Sequence, residues 1–249
     1  MSENRKSPDL IVGVLGGMGP EATVDFMSEV IGLTDASRDQ EHVRMIVDHN
    51  PQVPDRQAAM RGDPGPVRRT LADMARRLEA AGAHFLVMPC NTAHAFVGDA
   101  VAAVSVPFIS IIDTTVQSIR EQHPGIRRVG LLATDACIAA GVYQDALRRA
   151  GLELTLPDAD AQRRSMELIF RVKSGDTGEA VRAAMREIAI TLADAGAQAV
   201  IAGCTEIPLV LDAVRDGVAL ISSTRVLASR SVDYATGARA LPTDNLTKR

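Results

Sequence analysis

The 249-residue sequence predicts an α/β protein of two similar halves, each a parallel sheet flanked by helices. Three observations predict it. Short apolar runs alternate with helix-period segments along the chain, the pattern of strands buried on both faces. Two pairs of segments repeat at nearly the same offset: Ala81 to His94 (AGAHFLVMPCNTAH) matches Ala195 to Pro208 (AGAQAVIAGCTEIP), and Val12 to Pro20 (VGVLGGMGP) matches Val129 to Cys137 (VGLLATDAC). Several apolar runs also end abruptly in Gly, Pro, Cys or Thr, as strands do when they open onto a ligand-facing loop.

In chain order, Leu10–Leu15 reads as a strand broken by Gly16-Gly17-Met18-Gly19-Pro20, with Pro20 and Glu21 suited to the first turn of a helix running to about Leu33. A strand fits Val43–Asp48, followed by an irregular proline loop, HNPQVPDRQ. Val67–Ala81 has apolar Leu71, Met74, Ala75 and Leu78 at helical spacing, with Arg68, Arg69, Arg76 and Arg77 turned away. His84–Pro89 is a strand ending at Cys90, and Asn91 or Thr92 suits the cap of a following helix. Pro107–Ile112 is a strand, with Asp113 or Thr114 as the next cap. The second half predicts strands at Arg128–Leu132, Leu152–Leu156, Ala197–Ala202 and Val218–Ile221. Its helices are expected at Ala139–Ala150, Arg163–Lys173, Gly178–Ala195, Glu206–Arg215 and Thr224–Ala235. The expected division is residues 1–115 with about 222–240 in the first half and 116–221 in the second. Residues 241–249 are expected to form a loose tail.

Composition removes several functions. A net charge of −4 gives no basic field for nucleic acid, and 3% aromatics give little to stack bases on. No apolar run reaches the roughly 18–20 residues that span a bilayer. The polar opening MSENRKSPD does not read as a signal peptide, and three cysteines without an export signal suggest a reducing, cytoplasmic compartment.

Chemistry concentrates at strand ends. Cys90 and Cys204 occupy the same point of the repeat, 114 residues apart. A single cysteine after an apolar strand is usually a small buried hydrophobe, but repetition of the context argues for use. At a strand end and helix start, backbone N–H groups are expected to lower both thiol pKa values. Two thiols can form a redox disulfide, but the CxxC spacing is absent. They can bind metal, but no CxxC or HExxH accompanies them. They can also serve as acid and base on opposite faces of a carbon, inverting a stereocentre without a cofactor. His94, four residues after Cys90, offers a thiol–imidazole pair of the kind a cysteine hydrolase uses, against the commoner packed histidine. Gly16 to Gly19 matches no nucleotide-binding motif and reads as a tight turn where backbone approaches a ligand or a neighbour. Arg56 comes from the proline loop with a fork suited to carboxylates. Lys173 is the sole lysine away from the termini, since only Lys6 and Lys248 accompany it. Nothing around it resembles a pyridoxal phosphate cup.

Taken together, GVLGGMGPEAT (Gly13–Thr23), NPQVPDR (Asn50–Arg56), MPCNTAH (Met88–His94), GLLAT with Tyr143-Gln144, and GCTEIP (Gly203–Pro208) resemble the aspartate/glutamate racemase family, specifically its aspartate racemase branch. The resemblance runs from about Ile11 to Ala235. It implies two flavodoxin-like halves related by a pseudo-two-fold axis around an active-site cleft, a homodimer, and catalysis with no cofactor and no metal. Carried over motif by motif, Cys90 and Cys204 are the catalytic thiols. Met18, Gln52, Asn91, Thr92, Thr134 and Thr205 line the substrate site, and Arg56 and Lys173 hold carboxylates. The implied activity is interconversion of L and D aspartate or glutamate. A maleate-isomerase-like enzyme acting on cis-dicarboxylates, or a non-catalytic protein binding dicarboxylates or amino acids, is the alternative. The chain departs from the family pattern at Cys137, where relatives more often carry Thr, and at Ser222-Ser223-Thr224, where an Asp-Thr-Thr-like run is commoner. These departures bear on substrate range rather than reaction type.

Overall fold

The computed structural model describes residues 10–242. They fall into two compact units: residues 10–89, Phe96–Ile111 and 224–242 form the first, and Cys90–Ala95 with Ile112–Ser223 form the second. Residues 243–249 of the expected tail lie outside the described residues.

The chain begins with β1 (Val12–Gly16), α1 (Pro20–Leu33), β2 (Met45–His49), α2 (Arg56–Arg61) and α3 (Gly65–Ala80). It continues through β3 (Phe85–Val87), α4 (Gly98–Ala102), β4 (Phe108–Ile109) and α5 (Ile111–Gln122). There follow β5 (Arg128–Leu132), α6 (Asp135–Ala139), α7 (Val142–Arg149), β6 (Glu153–Thr155), α8 (Ala159–Lys173), α9 (Glu179–Asp194), β7 (Ala199–Ala202), β8 (Ala219–Ser222) and α10 (Ser223–Ala235). The two four-stranded sheets have the same strand order, β2-β1-β3-β4 and β6-β5-β7-β8, and every pairing within them is parallel. In the first, Val12 faces Met45 on one side and Phe85 on the other. In the second, Val129 faces Leu154 and Ala199. β1, β3 and β7 are buried throughout, so their continuous apolar runs suit their place inside a sheet covered on both faces. The edge strands β2 and β6 are partly exposed.

In the first unit, α3 buries Val67, Leu71, Ala72, Met74, Ala75 and Leu78, while Arg68, Arg69, Arg76 and Arg77 stay exposed, as the spacing predicts. Fully burying each large apolar side chain stabilises the fold by about 1.5–3 kcal/mol before entropy is counted. Phe85 meets Tyr234 edge-on at a centroid distance of 5.9 Å. In the second unit, Val181, Met185, Ile188 and Leu192 of α9 pack with Ile169 and Val172 of α8 and Val200 of β7 in one core cluster.

The clearest differences from expectation lie at four elements. The predicted Ala139–Ala150 helix starts only at Val142, after Gly141 at φ +69°, and a separate short helix, Asp135–Ala139, precedes it. α8 starts four residues early, where the Asp158 carboxylate accepts the Ala161 N–H at 2.9 Å. α2 forms inside the proline loop, capped by Asp55, which accepts the Ala58 N–H at 2.6 Å. The predicted Glu206–Arg215 helix is only a 3-10 turn, Ile207–Leu209. Ile207, Val210, Leu211 and Val214 are buried at helical spacing, yet the Leu209 carbonyl accepts from Arg182 (3.0 Å), and the Asp212 carboxylate accepts backbone N–H groups. Side chains that capture backbone partners in this way compete with helix formation.

The candidate active site

β3 and β7 deliver the two thiols. After β3, Met88 and Pro89 lead to Cys90; after β7, Gly203 leads to Cys204. The Gly203 N–H donates to the Leu132 carbonyl at 2.7 Å, extending the β5–β7 ladder by one bond. A Cβ on Gly203 would lie 2.6 Å from the Leu131 side chain and 3.1 Å from the Leu132 carbonyl, so the strand exit requires glycine. Both thiols belong to the second unit, both are free, and each is 6% exposed.

Cys204 has a partner of its own. Its S–H donates to Glu206 Oε2 at 3.0 Å, and the other oxygen of that carboxylate is ion-paired with Lys173 Nζ. The Thr205 hydroxyl reaches Glu206 Oε2 more weakly, at 3.4 Å. Burial pushes the Cys204 thiol well above its ordinary pKa, the Glu206 carboxylate adds to the rise, and Lys173 opposes it. This reverses the sequence expectation of a lowered pKa at Cys204. The turn that follows is 3-10 rather than a full helix, and a carboxylate, not a helix terminus, faces the sulfur. For Lys173, burial works against the charge, but Glu206, with smaller contributions from Cys204 and Cys90, outweighs it and raises the pKa. The Glu206 side chain is 4% exposed and that of Lys173 31%, so the ammonium is the open member of the pair.

Cys90 sits in a braced turn. His94 Nδ1 lies 2.8 Å from the Cys90 carbonyl, which can only accept, so Nδ1 carries the proton. Burial lowers the His94 pKa to about 4, against opposing contributions from that hydrogen bond and from Asp113. The imidazole is therefore neutral at physiological pH, and Nδ1 is committed to the backbone rather than to the Cys90 sulfur. Tyr143 donates its hydroxyl to Asn91 Oδ1 at 2.7 Å, and Asn91 Nδ2 donates to Ser223 Oγ at 3.0 Å. Ser223 in turn donates to the carbonyl of Ala202, the last residue of β7 (2.8 Å). A buried polar chain thus ties the residue after Cys90 to the strand that carries Cys204. Thr92 does not act as the expected helix cap. It follows Asn91 into a 3-10 turn, Thr92–Phe96, and its hydroxyl shares a 2.8 Å hydrogen bond with that of Thr134. Thr134 caps α6 by accepting the Cys137 N–H. Burial, then the proximity of Cys90, pushes the Cys137 thiol up to about 12, so Cys137 stays protonated.

Of the residues singled out in the sequence, Cys90, Asn91, Thr92, Thr134, Lys173, Cys204 and Thr205 belong to the second unit, and Met18, Gln52 and Arg56 to the first. Met18 is buried in the turn after β1, beside Gly17, where a Cβ would fall 2.3 Å from the Asn50 backbone. That close approach to a neighbour is what the glycine run provides. Gln52 is exposed, with its N–H on Asn50 Oδ1. Arg56 Nη1 donates to the Val53 and Pro54 carbonyls of its own loop, at 2.9 and 3.1 Å. The residue that sequence reasoning passed over is Glu206. The signal for it was an acid two positions after the second cysteine, in a chain with one internal lysine. Among the described residues, no group of three or more His, Cys, Asp or Glu side chains is arranged to hold a metal ion, and no helix is long and apolar enough to cross a membrane.

Known proteins resemble this chain in sequence and fold. The Asp/Glu/hydantoin racemase family model matches residues 15–230, and the chain belongs to that family. It is 29% identical to RacX of Bacillus subtilis, a broad-specificity amino-acid racemase, over 89% of this chain and 96% of RacX. Among solved structures, the aspartate racemase of Picrophilus torridus superposes with a TM-score of 0.79 at 32% identity, covering 91% of this chain and 94% of that one. An aspartate racemase homologue from Pyrococcus horikoshii superposes with a TM-score of 0.74 at 25% identity, covering 90% and 98%.

Proposed function

From membership of the Asp/Glu/hydantoin racemase family, we propose that the chain is an amino-acid racemase that interconverts the L and D forms of aspartate, glutamate or both without pyridoxal phosphate. The observation that carries this reading is the pair of free, equally buried thiols at equivalent strand ends, both in the second unit. In the proposed reaction one sulfur, as thiolate, removes the Cα proton from one face. The other, as thiol, delivers its S–H proton to the opposite face, and the roles exchange for the other enantiomer. Cys204, hydrogen-bonded to a carboxylate, is the protonated member in the free protein. Lys173 and Arg56 supply positive charge for the substrate carboxylates, and Met18, Gln52, Thr92, Thr134 and Thr205 shape the pocket, with Asn91 bracing it. The relatives' activities, on aspartate in one case and on a broad range of amino acids in another, support an amino-acid substrate. The enzyme is proposed to work as a cytoplasmic homodimer.

The test is chiral chromatography of L-aspartate and L-glutamate after incubation with purified protein, reductant and no added pyridoxal phosphate. Time-dependent appearance of the D isomer of either is expected. Neither isomer appearing would overturn the acidic-amino-acid reading.

A further inference from the structure

The two thiols occupy equivalent places in a repeated fold and have equal exposure, but only one has a carboxylate on its sulfur. Glu206 divides its two oxygens between the Cys204 S–H and the Lys173 ammonium, and it is almost wholly buried. A carboxylate paired with an ammonium is a hydrogen-bond acceptor, so it keeps the proton on sulfur. It also repels the charge that would appear there if the proton left. The titratable groups acting on Cys204 are Glu206, from its own turn, and Lys173, from the end of α8. At Cys90, by contrast, the nearby imidazole is bonded to the backbone carbonyl.

We infer that Glu206 is a positioning residue that makes the two thiols unequal: it fixes the proton of the free enzyme on Cys204, while Lys173, ion-paired with its other oxygen, holds the carboxylate in place. This rests on the two-thiol reading above and deepens it. The free enzyme then waits in the form that processes the enantiomer whose Cα–H faces Cys90. In that turnover the Cα–H bond breaks as an S–H bond forms at Cys90. The Cys204 S–H bond breaks as a new C–H bond forms on the far face. The Cys204 thiolate left beside Glu206 is balanced in part by Lys173. A thiol that ionises with difficulty is a strong base once ionised, which is what removal of a weakly acidic Cα proton demands in the reverse direction.

The test needs neither substrate nor turnover. Iodoacetamide alkylation is followed residue by residue by peptide mass spectrometry, near neutral pH, on the full chain. Cys90 and Cys204 are equally exposed as residues, and the change in each cysteine's rate between variants reports its ionisation. In the wild type Cys204 is expected to react more slowly than Cys90. Glu206→Gln removes the repelling carboxylate and leaves Lys173 facing the sulfur, so Cys204 alkylation should rise roughly tenfold or more, the effect of one pKa unit. Glu206→Asp should restore much of the protection. Lys173→Met should slow Cys204 further. Opposite signs for Glu206→Gln and Lys173→Met cannot come from loosened packing, which would speed both. Should Glu206→Gln not fold, the wild-type rate ratio and Lys173→Met still decide. Cys204 reacting as fast as Cys90 in the wild type, no acceleration in folded Glu206→Gln, or acceleration in Lys173→Met would each overturn the inference. Racemisation is measured separately, so failure here leaves the proposed function standing, and failure of racemisation leaves the alkylation result intact.

Discussion

The turn at Cys90 and the turn at Cys204 stand at the same point of a sequence repeat and have different surroundings. Both follow a buried parallel strand, and both leave the sulfur 6% exposed. Around Cys90 the polar groups bond to one another: His94 to the backbone, Asn91 to Tyr143 and Ser223, Thr92 to Thr134. Around Cys204 the Glu206 carboxylate, itself paired with Lys173, reaches the sulfur. The repeated strand order fixes where a thiol stands, and the residues that follow it fix its proton. A repeated strand order with unequal thiols suits the proposed reaction, whose two faces need opposite protonation states.

The largest expected effect breaks the comparison outright. Cys90→Ser or Cys204→Ser should lower racemisation by at least roughly 10²–10⁴-fold, the range that a positioned acid or base contributes. Full activity in either variant, measured as initial racemisation rate, would remove that thiol from the mechanism.

The next sharpens the account of the Cys90 turn. His94 is neutral in the folded protein down to about pH 4, whereas an exposed histidine takes up its proton near 6.5. Between those values the unfolded chain binds more protons, so stability rises with pH through the window and is lost as pH falls from 6.5 toward 4. The loss attributable to His94 amounts to about 3 kcal/mol. Denaturant unfolding at several pH values checks this, and His94→Gln should flatten the curve in that window. An unchanged slope in the variant would contradict the buried neutral imidazole.

The brace between the two turns gives a smaller effect. Tyr143→Phe leaves the buried Asn91 carbonyl oxygen without its donor and should cost about 1–3 kcal/mol in unfolding free energy. A loss below about 0.5 kcal/mol would mean the chain through Asn91 and Ser223 carries no strain between the turns. Smallest of all is the cross-strand pair Arg128–Glu153, at the exposed start of β5 and β6. Arg128→Ala should change stability by no more than about 1 kcal/mol, and a larger loss would show that the edge of the second sheet depends on it.

The same contrast explains what the sequence made legible. All eight strands lie within apolar runs that end abruptly, and the signal is most continuous at β1, β3 and β7, which are buried throughout. The repeat exposed both cysteines. The sequence-predicted helix after Cys204 did not form although Ile207, Val210, Leu211 and Val214 are all buried at helical spacing. Periodicity records which side chains face the core and is silent on whether backbone bonds go to Arg182 and Asp212 instead. The helix break at Gly141 was missed because a glycine inside a periodic segment is usually tolerated. Glu206 was illegible for a different reason: its role depends on the end of α8 arriving beside it, 33 residues away in sequence. Lys173 was noticed for its rarity and read as a holder of substrate carboxylates, and its pairing with this internal carboxylate was not foreseen.

The most direct measurement of the central claim is proton NMR of the protein with L-aspartate, then L-glutamate, in D₂O with reductant, comparing wild type with Cys90→Ser and Cys204→Ser. The two-thiol account predicts loss of the Cα–H signal with the wild type and almost no racemised product with either variant. An unchanged Cα–H signal with the wild type, or racemisation at the wild-type rate in either variant, would contradict it.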